Sequence, residues 1–309
     1  STARNQLGGA GSSNTNAIAF GGNTVTDTEE WTGAGVAIGA WSTGGSLNQD
    51  RYGMSASGTV TASIAFGGRI SPPNAFSALN EQYDGTSWTE VNDLNTGRGF
   101  MGSTTGPYTA VLGMGGNVPP ATTKVESWNG TNWTEITALN SAKSNVAGCG
   151  TTTAALATGG SGGGNTNEIW NGSNWTEVND LNTPRNGVGP NSSGTSTATL
   201  VAGGEQPASP YALYANSELW NGTNWTEVND LNTARHQLGH SGTSTDALAF
   251  GGAPIPAAAG KTEDWNGVSW QETADMNTSR GYPASSGTAA AALAVGGTIP
   301  PGASTTATE

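Results

Sequence analysis

A short apolar run that ends in Gly-Gly occurs seven times in 309 residues, at Gly21-Gly22, Gly67-Gly68, Gly115-Gly116, Gly159-Gly160, Gly203-Gly204, Gly251-Gly252 and Gly296-Gly297. Successive copies lie 46, 48, 44, 44, 48 and 45 residues apart. A fixed period of this size means that one supersecondary unit is repeated, and that no single copy can bury its apolar face alone.

The residues of each copy spell four strands. Strand A is built from small residues, as in 5–11 or 144–150, and strand B is the apolar run before Gly-Gly. Gly, Ala and Ser on strand A suit an innermost strand, where several copies crowd around an axis. One apolar position per A strand survives, at Leu7, Met54, Met101, Val146, Val188 and Leu238, with Pro283 in the seventh copy. Strand C carries Glu, any residue and an aromatic. An Asn-Gly or Asp-Gly pair then leads to strand D and a Trp five residues beyond the aromatic, as in Trp128 to Trp133, Trp170 to Trp175 and Tyr83 to Trp88. Asn-Gly and Asp-Gly accept the positive φ angles of a tight hairpin. All eleven Trp fall at these two positions, which reads as aromatic packing between neighbouring units rather than as separate sugar-stacking sites.

Four antiparallel strands repeated radially predict an all-β chain folded as a seven-bladed β-propeller. Blade boundaries fall near 1–48, 49–95, 96–140, 141–182, 183–232, 233–277 and 278–309, within one domain spanning 1–309. The pattern resembles the kelch family, whose repeats carry an apolar strand ending in Gly-Gly, then an aromatic and a Trp several residues apart. The fuller form, Trp-Asn-Gly-x-x-Trp-Thr-Glu with Leu-Asn-Thr-x-Arg and Ala-Leu-Ala-Phe-Gly-Gly, is similar to repeats in virion and tail-fibre proteins of marine tailed phages. That resemblance implies a virion or extracellular location and a structural or host-adhesion role. It bears on fold more than on function, because propellers host many tasks. Two irregularities stand out. Trp31 and Trp41 are ten residues apart, and the last copy stops at Glu309 before its aromatic, so the seventh blade reads as incomplete. The chain opens at Ser1-Thr2-Ala3-Arg4, the tail of a Leu-Asn-Thr-Ala-Arg unit, and reads as processed or as a segment of a longer polypeptide.

Composition narrows the partners. A net charge of −13 with only ten Lys and Arg argues against nucleic acid, whose binding needs cations to displace counterions, and against anionic membrane surfaces. No apolar run is long enough to insert in a membrane. The lone Cys149 excludes an internal disulfide and aligns with Ala10 and Ser241, a slot for a small residue.

Seven of the ten basic residues occupy one repeat position before strand A: Arg4, Arg51, Arg98, Lys143, Arg185, Arg235 and Arg280. Glu29, Glu81, Glu126, Glu168, Glu218, Glu263 and Glu309 match them, two residues before the aromatic position of strand C. The D-to-A and B-to-C connections share one face of an up-and-down blade, so the starts of A and C meet there. A set of structural ion pairs is expected, since guanidinium presents a planar fork of donors to a carboxylate. Their recurrence once per blade argues against an anion-binding arginine cluster.

Nothing selects an active site. His236 and His240 are the only histidines, and four strand residues separate them by about 13 Å, too far to share one metal. The copper–tyrosine chemistry of kelch-like oxidases lacks its histidine set here. Asp84-Gly85-Thr86-Ser87-Trp88 superficially resembles a sialidase Asp-box but is a hairpin turn, and the repeated Asn-x-Ser/Thr triplets follow from the same turn chemistry. A non-enzymatic chain without cofactor or metal is expected, with a carbohydrate-active enzyme as the alternative because paired carboxylates leave no mark in sequence.

Variation is confined to one class of loop. Between the second Gly and the Glu of strand C, the seven copies hold 6, 12, 9, 7, 13, 10 and 11 residues, whereas the C-to-D turns after the first keep one length. Loops tolerate insertion where strands do not, so the B-to-C face is the expected recognition surface. Ile70, Phe76, Tyr211, Leu213, Tyr214 and Ile255 are its apolar candidates, stiffened by nearby prolines. The partners expected are other virion or extracellular proteins and cell-surface glycans, within a larger assembly.

Overall fold

The turn chemistry sets each blade. In Ala147–Gly150, Ala155–Thr158, Asn167–Trp170 and Trp175–Val178 the strands pair antiparallel in that order, A to D. Asn171 Oδ1 accepts the amides of Ser173 and Asn174, and Gly172 takes φ 92°. The C-to-D turn therefore closes in one register, with Trp170 opposite Trp175 and their rings 5.3 Å apart. Such an Asx turn substitutes a side chain for a backbone acceptor. A computed structural model describes residues 8–13, 16–20, 28–32 and 44–309, apart from 71–72, 162–163, 190–191, 208–211, 256 and 301–302.

By its contacts the chain divides into two compact units, Ser1–Ala40 and Trp41–Glu309. In the first, Gly8–Ser13 (β1), Asn16–Phe20 (β2) and Thr28–Thr32 (β3) form an antiparallel sheet in the order β1-β2-β3. The second is a β-propeller with five four-stranded sheets, spanning 55–91, 102–136, 147–178, 193–228 and 239–272. A sixth position in the ring holds the hairpin Ala284–Thr288 and Ala291–Val295. Here the two ends of the unit finish the blade. Ala294 and Glu309 exchange backbone hydrogen bonds of 2.7 and 3.0 Å, and the amides of Gly44 and Leu47 donate to the carbonyls of Thr308 and Thr306.

The expectation of seven blades is thus corrected to five complete sheets and one assembled position. The reason is the partner chosen by residues 44–47. By repeat position Gly44 ends the strand D of the first copy and Leu47 opens its Leu-Asn motif, yet both pair with the C-terminal segment and supply what the last copy lacks.

Gly-Gly closes the ring. In the six pairs among the described residues the second Gly has a positive φ, between 90 and 106°, which turns its amide toward the next blade. Gly68, Gly116, Gly160, Gly204 and Gly252 donate to the carbonyls of Arg98, Lys143, Arg185, Arg235 and Arg280, and Gly297 donates to Arg51 at 3.0 Å. A Cβ on Gly68 would meet Met54 Cγ at 2.5 Å, so only glycine allows the approach. The last bond runs from the sixth position to the first, so the circuit is complete within Trp41–Glu309.

Between blades lies the core. Leu112, Met114 and Val125 of one sheet pack with Val146, Ala155, Trp170 and Trp175 of the next. The paired Trp rings on the C and D strands bury their area in these seams, as their spacing predicts.

Candidate functional site

The repeated ions form a buried belt. Arg51–Glu81 (2.6 Å), Arg98–Glu126 (2.9 Å), Arg185–Glu218 (2.6 Å), Arg235–Glu263 (3.0 Å) and Arg280–Glu309 (2.5 Å) each join the entry of a blade to its own strand C. Each Arg is fully buried, and burial pulls its guanidinium below the ordinary arginine range while the facing carboxylate opposes the shift. The second nitrogen is used too: Arg51 Nη1 donates to the carbonyls of Gly67 and Leu79. The Asn of Leu-Asn-Thr-x-Arg holds the other carboxylate oxygen, as Asn95 does through its amide (2.7 Å) and side chain (2.8 Å) on Glu126. Both carboxylate oxygens of Glu126 are thus engaged inside the ring, while Nε of Arg51, Arg98 and Arg235 is buried without a hydrogen-bond partner among the described residues. Arg4 lies outside the described residues, and Glu29 lies in β3.

One blade departs. Lys143 Nζ donates to the carbonyl and hydroxyl of Thr166 rather than to Glu168, which is held by the amides of Asn140 (2.7 Å) and Ser141 (3.3 Å). Burial drives the Lys143 ammonium below its usual range, with Glu168 opposing. Lys143→Arg should restore the fork used by the other blades and raise the melting temperature by about 2–4 °C, corresponding to ~1 kcal/mol. Thermal melts of the two proteins check this; an equal or lower midpoint would count against it.

The B-to-C loops share a face with this belt. Ile70 and Phe76 belong to a small hairpin, Arg69–Ile70 with Ala75–Phe76, in which Arg69 lies over the Phe76 ring at 5.4 Å. Phe76 and Ile255 are half-buried and press on Gly99 and Gly281 at the entry of the next blade. Tyr214 stacks under Arg185, with 5.9 Å from ring to guanidinium. Leu213 is exposed, while Tyr211 falls outside the described residues. Much of this apolar set therefore braces neighbouring blades.

At the centre of the same face lies a feature that the repeat pattern does not announce. The residue two after each belt cation takes a left-handed conformation: Gly53 (φ 60°), Phe100 (58°), Asn145 (54°), Gly187 (67°), Gln237 (51°) and Tyr282 (56°). Their amides and carbonyls link blade to blade, as in Phe100 to Gly53 (2.7 Å), Asn145 to Phe100 (2.8 Å) and Gly53 to Tyr282 (3.3 Å). Glycine meets this demand freely, whereas a side chain costs about 1–3 kcal/mol. Phe100 and Tyr282 nonetheless each meet Tyr52 edge-to-face at a centroid distance of 6.0 Å, and each other at 6.3 Å. Gln237 Nε2 donates to Asn145 Oδ1 at 2.5 Å, and His236 Nδ1 lies 3.0 Å from Glu205 Oε2.

The opposite mouth of the axis opens into a cavity of about 390 Å³ lined by Ser, Thr and Gly from the A-to-B turns and by His240. Hydroxyls there tie blades together: Ser193 Oγ and Ser241 Oγ donate to the carbonyls of Ser241 and Ser286. Cys149 occupies the same place, its thiol donating to Thr195 O at 3.3 Å, and burial raises its pKa. His240 is buried, and its pKa is lowered to about 4 by burial and then by the charge of Arg235, against the backbone groups of Ala202 and Val188 that raise it. His236 sits at the other mouth. Among the described residues no group of three His, Cys, Asp or Glu is placed to hold a metal.

Fold and axis together define a β-propeller. The solved structure of YjhT is similar to this chain, with a TM-score of 0.69 and 11% identity over 85% of this chain and 95% of that one. At that identity the likeness concerns the fold. No protein-family model matches the chain, and no curated protein matches its sequence.

Proposed function

We propose that this chain is a non-enzymatic recognition module, a kelch-like propeller of virion or extracellular origin that presents its B-to-C face to protein or glycan partners. The observation that carries the reading is the division of labour between residues. The repeated Arg, Glu, Asn, Trp and Gly-Gly are consumed inside and between blades, while loop length and the axial side chains differ from blade to blade on that one face. A rigid ring with one variable face suits recognition, because loops fixed at both ends by strands lose little entropy on binding. The WNGxxW-type repeat supports the tail-fibre-like setting.

Replacing 206–213 by a Gly-Ser linker tests the assignment. Adhesion to host cells or capture of the partner in pull-down should fall at least about tenfold, the loss of roughly one anchor, with the melting temperature kept within a few degrees. Retained adhesion would sink the idea, and turnover of a glycan would favour the carbohydrate-active enzyme instead.

A further inference from the structure

The six positions that enter the axis break the repetition of the ring. Aligned on the belt cation, the next two residues are Tyr52-Gly53, Gly99-Phe100, Ser144-Asn145, Asn186-Gly187, His236-Gln237 and Gly281-Tyr282. The neighbouring Leu, Asn, Arg and Gly-Gly positions hardly change. At the second position Gly53 and Gly187 show that glycine satisfies the backbone, yet Phe100, Asn145, Gln237 and Tyr282 hold positive φ with full side chains. Strain kept at symmetric positions where the chain elsewhere uses glycine points to the side chains themselves.

We infer that this axial mouth binds a terminal, uncharged sugar residue, a reading that rests on the B-to-C face being the recognition face. Tyr52, Phe100 and Tyr282 are half-buried and fixed edge-to-face, so they are ordered before any ligand arrives. The three ring centroids lie 6.0–6.3 Å from one another, close enough for one pyranose to touch more than one ring, and the apolar C–H face of a sugar packs on aromatic rings. The Asn145–Gln237 amide pair and the Glu205–His236 pair flank it and offer donors and acceptors to ring hydroxyls. Glu205 disfavours an anionic sugar. The crevice beneath the rings, about 10 Å³, is too small for a protein anchor, so contact is made from above.

Methyl glycosides of glucose, galactose, mannose and N-acetylglucosamine, followed by saturation-transfer NMR on the intact chain, test this. At least one is expected to respond, at roughly millimolar strength, and Phe100→Gly and Tyr282→Gly should each weaken it about tenfold or more. Because glycine already serves at Gly53 and Gly187, both variants should keep the wild-type melting temperature within a few degrees; a fall in both would make the rings a structural plug and overturn the site. Glu205→Gln provides a second arm, expected to weaken the response at unchanged stability. No response to any of the four glycosides overturns the sugar class, and an unchanged response in the glycine variants overturns the location. The loop replacement at 206–213, read by cell adhesion, judges the face separately.

Discussion

Arg185→Met is expected to lower the melting temperature by on the order of 10 °C. Arg185 has no exposed surface and donates to the carbonyls of Gly203 (3.0 Å) and Asn216 (2.6 Å) as well as to Glu218 (2.6 Å). Methionine fills much of the volume but donates nothing. Glu218, itself fully buried, keeps the amides of Asn182 and Thr183 and loses its counter-charge. Removing one partner of a buried pair typically costs about 3–5 kcal/mol, because the other charge stays in low dielectric.

The double variant Arg185→Met/Glu218→Leu separates charge from shape. Taking away both ions removes the stranded carboxylate, so part of the lost stability should return even though the hydrogen bonds do not. A double variant no more stable than the single would show that the carbonyl contacts, rather than the ion pair, dominate. A single variant melting like wild type would remove the belt as a stabilising element altogether.

How far the sequence carries depends on whether a feature is local. The C-to-D hairpin is fixed by Asn171 and Gly172 within six residues, and the pairing of Arg98 with Glu126 follows from the order of strands in one blade. Both were legible. The number of ring positions was not, since residues 44–47 carry no mark of which C strand they will join, and strand pairing is non-local. The ten-residue gap between Trp31 and Trp41 was the one visible irregularity at that point. Lys143 was read by charge, but an ammonium on a flexible stem can satisfy itself on a nearby carbonyl where a guanidinium reaches the acid. The axial residues escaped because sequence reasoning looks for what recurs. Their signal is a left-handed backbone filled by changing side chains, and φ cannot be read from residue type once glycine is absent.

Stability should also fall steeply in mild acid because of His240. Its folded pKa is about 4, against about 6.5 in an unfolded chain. Between those values the unfolded chain binds a proton that the folded chain refuses, so stability rises with pH through the window and is lost as pH falls below 6.5. The full difference is about 3 kcal/mol, reached near pH 4. The physical cause is burial first, then the charge of Arg235, which together outweigh the backbone groups of Ala202 and Val188 that favour the protonated ring. Ser285 stands at the matching position of the next blade, five residues after its belt cation, so His240→Ser introduces a residue the ring already accommodates. That variant should lose some packing at pH 7 yet show a much flatter dependence of melting temperature between pH 4 and 6.5. Carboxylates elsewhere titrate alike in both proteins, so the difference between the two curves isolates the imidazole. Parallel curves would mean that His240 reaches solvent through the hydroxyl-lined cavity and takes up its proton without opening the ring.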